Sequence, residues 1–146
     1  MVAVRRPDLV RALVMVGSPL LDPLGANPRV LGAARLLTRL TALGIPGLLD
    51  DDCFTGPCFR GNAAALAAPL PENTPALAVY SRLDRVAPWE LCQDPYAECV
   101  EVSSGHAGLL LDPDFYAALE PRLARWSATD PAAGVRAAAE LTAVGA

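Results

Sequence analysis

The sequence predicts an α/β domain with about three parallel strands and flanking helices. Residues 9–16, 76–80 and 97–102 are short, mostly apolar segments bounded by Gly, Pro or polar residues, which is typical of strands in a parallel sheet. The segments between them carry helical spacing or helix-capping signals. An alternation of strands and helices along the chain favours a parallel sheet, because parallel neighbours need crossover connections.

Composition favours one domain and excludes some partners. The chain has 146 residues, and 53% of them are hydrophobic, which is enough for a sizeable core. Its net charge is −4 and its 12 basic residues are scattered arginines, so we expect no nucleic-acid partner. No apolar run approaches the roughly 20 residues of a membrane span, and residues 1–7 lack the apolar stretch of a signal peptide. We therefore expect no membrane span and a cytoplasmic location.

The first strand and the first long helix have clear boundaries in the sequence. The strand, residues 9–16, closes at a Gly-Ser-Pro turn over residues 17–19. Apolar residues at helical spacing then predict a helix over residues 28–43. Pro28 near its start and Gly44 just after its end are the residue types preferred at these two positions.

The middle of the chain carries weaker signals. Residues 44–62 have an irregular pattern with several Gly, Pro and Asp, and residues 63–68 predict a short helix that ends at a proline. The second strand, residues 76–80, follows the turn-forming Asn-Thr-Pro sequence. A short helix is predicted over residues 88–92, and the third strand is predicted at about residues 97–102.

A last helix is predicted from residue 113 to about Trp126. The Asp-Pro-Asp sequence at residues 112–114 supplies an N-cap, a proline at the first helical position and an acid in the first turn. The expected buried stripe consists of Phe115, Leu119, Leu123 and Trp126. Residues 129–146 form an Ala-rich tail, for which a frayed helix and disorder are both open interpretations.

The four cysteines, at positions 53, 58, 92 and 99, lack the C-x2-C spacing of common zinc sites. We interpret them as small buried apolar side chains. A Cys53–Cys58 disulfide is the alternative that their spacing allows.

Two polar residues follow neighbouring predicted strands and are the candidate functional pair. Asp84 comes a few residues after the second strand, and His106, the single histidine, lies between two glycines after the third. Functional groups in parallel sheets collect beyond the carboxyl ends of the strands, where an aspartate can orient an imidazole that acts as a general base. Position alone does not separate these roles from a solvated loop aspartate between two arginines and a surface histidine.

No serine of the chain lies on the Gly-x-Ser-x-Gly turn that would complete a catalytic triad. Ser18 follows a predicted strand, but Val16 and Leu20 occupy the positions that the strained turn reserves for small residues. We interpret Ser18 as a loop residue near the site. The tandem serines at positions 103 and 104 are interpreted as local hydrogen-bonding residues that shape the histidine loop.

Three segments together resemble a group of bacterial α/β-hydrolases of the lipase and esterase type. Residues 5–19 resemble the end of the helix after the nucleophile and the sixth strand of that family. Residues 80–89 resemble its acid loop, and residues 101–109 resemble its histidine loop. The resemblance implies a partial α/β-hydrolase fold, with residues 1–128 as the C-terminal part of the domain and about residues 20–75 as a helical cap insertion.

The resemblance also implies chemistry. Asp84 and His106 match the triad acid and base, the substrate would be a small acyl ester or a lipid, and no metal or organic cofactor is implied. The nucleophilic serine and the oxyanion donors would lie before Met1, so we expect little ester hydrolysis by this chain alone.

Two other interpretations stay open: a non-catalytic remnant used for binding or association, and one subunit of a split hydrolase. In each case the first strand would have an unpaired edge, which predicts self-association unless a partner supplies the missing strand.

Overall fold

The computed structural model describes residues 2–22, 24–45, 52 and 54–128, so the predicted tail at residues 129–146 lies outside the described residues. Four helices and three strands are present in this part of the chain. They are α1 (Val2–Arg5), β1 (Leu13–Val16), α2 (Pro28–Ala42), α3 (Pro57–Ala67), β2 (Ala76–Tyr80), β3 (Glu98–Glu101) and α4 (Pro113–Ala128). Short 3₁₀ helices occur at Pro7–Leu9, Trp89–Cys92 and His106–Leu111.

The three strands form one parallel sheet in the order β1–β2–β3. Leu13 of β1 is paired with Ala76, and Leu77 of β2 is paired with Glu98. The prediction of about three parallel strands with flanking helices is therefore confirmed. The central strand, β2, is the most buried, because it has a neighbour on each side and apolar side chains on both faces.

The two faces of the sheet carry different cores. On one face Leu77 and Val79 pack with Phe115 of α4; the other members of this buried cluster are Val102 and Leu109. On the opposite face the core consists of Met15, Ala76 and Ala78, so it is built mainly from small side chains. The larger core thus lies under α4.

Most of the predicted stripe of α4 packs as expected. Phe115 is buried, and Leu119 and Trp126 pack against the same core. The prediction for Leu123 is wrong, because its side chain is 47% exposed. At 3.6 residues per turn Leu123 lies about 80° around the helix from Phe115, at the margin of the buried stripe.

The first strand is shorter than predicted. Residues 7–9 form a 3₁₀ turn in which the Val10 N–H donates to the carbonyl oxygen of Pro7 (3.3 Å). Pairing with the sheet begins where the Leu13 N–H donates to the carbonyl oxygen of Pro75 (3.0 Å). The apolar run therefore contains both a turn and a strand, which its composition alone did not separate.

Helix α3 is longer than the predicted helix over residues 63–68. It begins at Pro57, and the backbone N–H of Cys58 donates to the two carboxylate oxygens of Asp52 at 3.2 and 3.3 Å. This carboxylate satisfies an N–H of the first turn that has no partner within the helix, which stabilises a start six residues earlier than predicted.

The interpretation of the cysteines holds for Cys92, which is buried. It is wrong for Cys58 and Cys99, which are exposed free thiols. Cys58 lies in the solvated first turn of α3, and Cys99 lies on β3, an outer strand whose residues are largely exposed. Cys53 lies outside the described residues, and Cys58, the other residue of the alternative Cys53–Cys58 disulfide, is free.

Within the described ranges no strand pairs with the outer edge of β1 or of β3. Self-association through β1 stays a prediction. None of the described helices combines the length and the apolar character that crossing a membrane requires.

Candidate functional site

The carboxyl end of β2 is fixed on both sides by its neighbours. The Gly17 N–H donates to the carbonyl oxygen of Val79, and the Val102 N–H donates to that of Tyr80, each at 2.9 Å. The chain segments that leave the three parallel strands therefore begin at one edge of the sheet. This edge contains the two residues that the sequence singles out, Asp84 and His106.

The loop after β2 holds Asp84 by backbone hydrogen bonds. Ser81 is buried, and its hydroxyl accepts from the Leu83 N–H (3.0 Å). One carboxylate oxygen of Asp84, Oδ1, accepts from the N–H groups of Val86 (2.8 Å) and Ala87 (3.0 Å). Since these bonds fix the carboxylate from within its own loop, Asp84 has a defined orientation.

The other carboxylate oxygen of Asp84 is paired with His106. Asp84 Oδ2 lies 2.7 Å from His106 Nδ1, and the exposed fractions of the two side chains are 1% and 41%. Because a carboxylate can only accept, the neutral imidazole carries its proton on Nδ1, and Nε2 is then the nitrogen with a free lone pair. No hydrogen bond to Nε2 occurs within the described residues. The predicted proximity of Asp84 and His106 is confirmed.

The histidine loop is tied to the start of α4. The Ser104 hydroxyl donates to Asp112 Oδ2, while Asp112 Oδ1 accepts from the Asp114 N–H at 2.9 Å. The Ser104 hydroxyl and then the Asp114 N–H favour the charged carboxylate, so they lower the pKa of Asp112. The N-cap role of residue 112 and the hydrogen-bonding role of Ser104 are both confirmed.

An aromatic and ionic cluster flanks the acid loop, and the sequence reasoning did not assign it a role. The Tyr80 and Trp89 rings are stacked with centroids 6.0 Å apart. The guanidinium carbon of Arg82 lies 4.5 Å from the centre of the Trp89 ring, and its Nε lies 3.2 Å from a carboxylate oxygen of Glu101. Arg82 therefore links the acid loop to β3 through Glu101 and to the 3₁₀ helix Trp89–Cys92 through Trp89.

Asn27 connects the start of α2 to the acid loop. Its side-chain oxygen accepts from the Arg29 N–H (2.9 Å), so it is the N-cap of the helix. Its side-chain amide donates to the carbonyl oxygen of Arg85, and its backbone N–H donates to that of Val86, each at 2.9 Å. An asparagine before Pro28 is a recognisable cap signal, but nothing in the sequence indicates its bonds to residues 85 and 86.

Serine hydroxyls at this edge are engaged in local hydrogen bonds. The Ser18 hydroxyl donates to the carbonyl oxygen of Val16 (3.2 Å), so Ser18 is a loop residue next to the site, as interpreted. The hydroxyls of Ser81 and Ser104 contact Leu83 and Asp112. None of these three is hydrogen-bonded to His106 in the structure described.

Neither a cleft beside α3 nor the buried thiol of Cys92 is part of this pair. A cleft of about 470 Å³ is lined by residues 20–22, one side of α3 and residues 94–96, and it includes neither Asp84 nor His106. Burial raises the pKa of Cys92 to about 11, so this thiol is protonated at neutral pH and is a poor nucleophile. Among the described residues no group of three or more His, Cys, Asp or Glu side chains could hold a metal ion.

No protein-family model matches the chain, and comparisons with curated proteins and with solved structures gave no significant match.

Proposed function

We propose that this chain supplies the acid and the histidine of a Ser-His-Asp triad in a carboxylic-ester hydrolase of the α/β-hydrolase type. The observation that carries the proposal is the 2.7 Å contact between His106 Nδ1 and the buried carboxylate of Asp84, at the carboxyl edge of a parallel sheet. A buried aspartate on Nδ1 and an accessible imidazole are what a general base of this kind requires.

Each residue of the pair has a defined role in the proposed reaction. A serine hydroxyl attacks the acyl carbonyl of the ester and transfers its proton to His106 Nε2. The protonated His106 then gives this proton to the leaving alcohol, which forms the acyl-enzyme. Water hydrolyses the acyl-enzyme with His106 again acting as base. Asp84 stabilises the imidazolium in both steps and holds the ring in the productive tautomer.

The nucleophile in this proposal comes from a polypeptide segment outside this sequence. The hydroxyls of Ser18 and Ser104 donate local hydrogen bonds, and that of Ser81 accepts one. No serine lies on a Gly-x-Ser-x-Gly turn. Such a segment could also pair with the outer edge of β1. The substrate class, a small acyl ester or a lipid, follows from the resemblance of residues 5–19, 80–89 and 101–109 to lipases and esterases.

In this proposal about residues 20–75 correspond to the cap insertion of the hydrolase fold, and α2 and α3 are its described helices. The bonds of Asn27 to the acid loop support a cap that is attached close to the site. The proposed location is the cytoplasm. The free thiols of Cys58, Cys92 and Cys99 support a reducing compartment.

Complementation tests the proposal. The purified chain is assayed with an activated short-chain ester, alone and after co-expression with the polypeptide encoded immediately upstream. We expect background hydrolysis from the chain alone. We expect turnover from the combination, which falls by about 10³-fold or more in His106→Ala and in Asp84→Ala.

Cys99→Ala is the matched control, since it removes an exposed side chain of β3 outside the pair. Turnover by the combination that His106→Ala leaves unchanged would contradict the proposal. Turnover by the chain alone that His106→Ala abolishes would contradict the external nucleophile, and Ser18 would then be the first residue to replace.

A further inference from the structure

Gly17 lies directly against the Asp84–His106 pair. It is the first residue after β1, it is buried, and its φ of +53° is in the left-handed region that favours glycine. Its N–H is bonded to the carbonyl oxygen of Val79, so its position is set by the sheet and cannot shift freely.

A β-carbon at residue 17 would overlap the pair. It would lie 3.1 Å from Asp84 Oδ2, 3.2 Å from His106 Nδ1 and 2.6 Å from Leu109 Cδ1. These distances are shorter than ordinary van der Waals contacts of about 3.5–4.0 Å. The first two atoms are the two that form the hydrogen bond between Asp84 and His106.

Two of the three neighbours are held in place by their surroundings. The Asp84 carboxylate is fixed by the N–H groups of Val86 and Ala87, and Leu109 is 1% exposed within the core. The His106 ring is the most exposed of the three, so it is the group that a side chain at residue 17 would displace.

We propose that Gly17 is a positioning residue: its missing side chain leaves the space in which Asp84 and His106 form their hydrogen bond, and this bond selects the imidazole tautomer protonated on Nδ1. The significance of Gly17 for catalysis rests on the proposed function, but its effect on the tautomer does not. A failure of ester hydrolysis and a failure of this proposal are therefore distinguishable.

The single histidine gives a direct measurement. Ring ¹⁵N shifts of His106 in the ¹⁵N-labelled chain, followed upward in pH until they stop changing, report which nitrogen carries the proton of the neutral ring. We expect the wild-type chain to show the pattern of a proton on Nδ1. We expect Gly17→Ala to lose this pattern and to show the Nε2-protonated form, because the ring has moved away from Asp84.

Gly44→Ala is the matched control, since Gly44 also has a positive φ (+87°) but a β-carbon there would meet nothing within 4 Å. Gly44→Ala places an alanine in a left-handed backbone conformation but adds no steric contact with His106. The ¹⁵N pattern of His106 in this variant should therefore be that of the wild type. Gly17→Asn is the second variant, because asparagine tolerates the left-handed region better than alanine and still carries a β-carbon.

The outcomes distinguish a steric effect of the β-carbon at residue 17 from an effect of the backbone conformation there. Loss of the Nδ1 pattern in Gly17→Ala or Gly17→Asn, with folding verified by circular dichroism and the pattern retained in Gly44→Ala, supports the proposal. A retained Nδ1 pattern in either folded Gly17 variant overturns it. Failure of both Gly17 variants to fold also overturns it, because Gly17 would then be a requirement of the whole fold.

Discussion

The acid–histidine edge and the helical region of residues 28–67 differ sharply in how far they are packed. At the edge, Ser81, Asp84 and Asp112 are buried polar residues; the Ser81 side chain has one hydrogen bond, and the carboxylates of Asp84 and Asp112 have at least two each. In the helical region, Thr38 is the only buried residue of the 15 in α2, and Ala65 is the only buried residue of the 11 in α3.

The helical region leaves large apolar side chains in contact with water. Around α2 the most exposed of these are Leu36, Leu37, Leu43 and Ile45. The comparison shows that the edge with the histidine is held mainly by the sheet and α4, and that Asn27 links it to the start of α2 by hydrogen bonds. The helices between β1 and β2 bury little apolar surface against the described residues, and burial of an apolar face provides most of the stability of a helix in a protein.

The largest expected effect compares a leucine in the core beneath the acid–histidine edge with a leucine in the helical region. Leu77→Ala should lower the free energy of unfolding by about 3 kcal/mol, because Leu77 is fully buried in β2. Leu36→Ala in α2 should change it by no more than about 0.5 kcal/mol, because Leu36 is 57% exposed. Urea unfolding measures both. Equal losses in the two variants would remove the difference between the regions.

The second prediction concerns the acid loop. Asp84→Ala should lower the free energy of unfolding by about 2–4 kcal/mol, because the N–H groups of Val86 and Ala87 lose their acceptor. His106→Ala should cost only about 1 kcal/mol, since its ring is partly solvated.

Asp84→Asn is the isosteric control for the same loop. Its side-chain oxygen can still accept from both N–H groups, so most of the stability should remain. Its amide would donate to His106 Nδ1 and favour the proton on Nε2. A large loss of stability in this variant would show that charge rather than hydrogen bonding holds the loop.

A smaller effect is expected at the junction of the two regions. Asn27→Ala should destabilise the protein by about 1 kcal/mol, because it removes both the N-cap of α2 and the bond to the carbonyl oxygen of Arg85. Asn27→Asp keeps the cap and loses only that bond, so it should recover part of the loss. The comparison fails if thermal unfolding finds Asn27→Ala equal to the wild type.

The smallest expected effect is the loss of folding stability at acid pH that Asp112 contributes. The pKa of Asp112 is lowered in the folded chain, so its contribution to stability is complete above the unfolded pKa of about 4 and is lost as the pH falls through the folded value. Ser104→Ala should weaken this acid dependence, because it removes the hydroxyl that favours the carboxylate. Unfolding curves between about pH 2 and pH 6 measure it, and unchanged curves would contradict the assignment.

The sequence predicts β2, α2 and the start of α4 more closely than it predicts β1 and α3. The second strand has its predicted bounds, residues 76–80, because an apolar run between turn signals has few other structures in a parallel sheet. The start of α3 was missed because the carboxylate of Asp52, outside the helix, supports it. Cys99 was misjudged because its residue type says nothing about whether its strand is central or outer.

The proximity of Asp84 and His106 was predictable from the sequence, but the contacts that other residues make with their loops were not. An aspartate and a histidine after consecutive strands of a parallel sheet must share an edge, which places Asp84 near His106. Gly17 and Asn27 act through contacts with residues far away in the chain, and neither residue type signals such a partner. The stacking of Arg82 on Trp89 depends in the same way on a loop geometry that the sequence does not specify.

The lengths of the β1–β2 and β2–β3 connections also indicate the order in which the carboxyl end of the sheet, with Asp84 and His106, assembles. Residues 81–97 connect β2 to β3, whereas residues 17–75 connect β1 to β2, a connection more than three times as long. Closing the longer connection costs about 1 kcal/mol more in chain entropy. During refolding we expect β2, β3 and the Asp84–His106 contact to form first. The β1 segment then docks last, and Gly17 closes the edge only after the pair has formed.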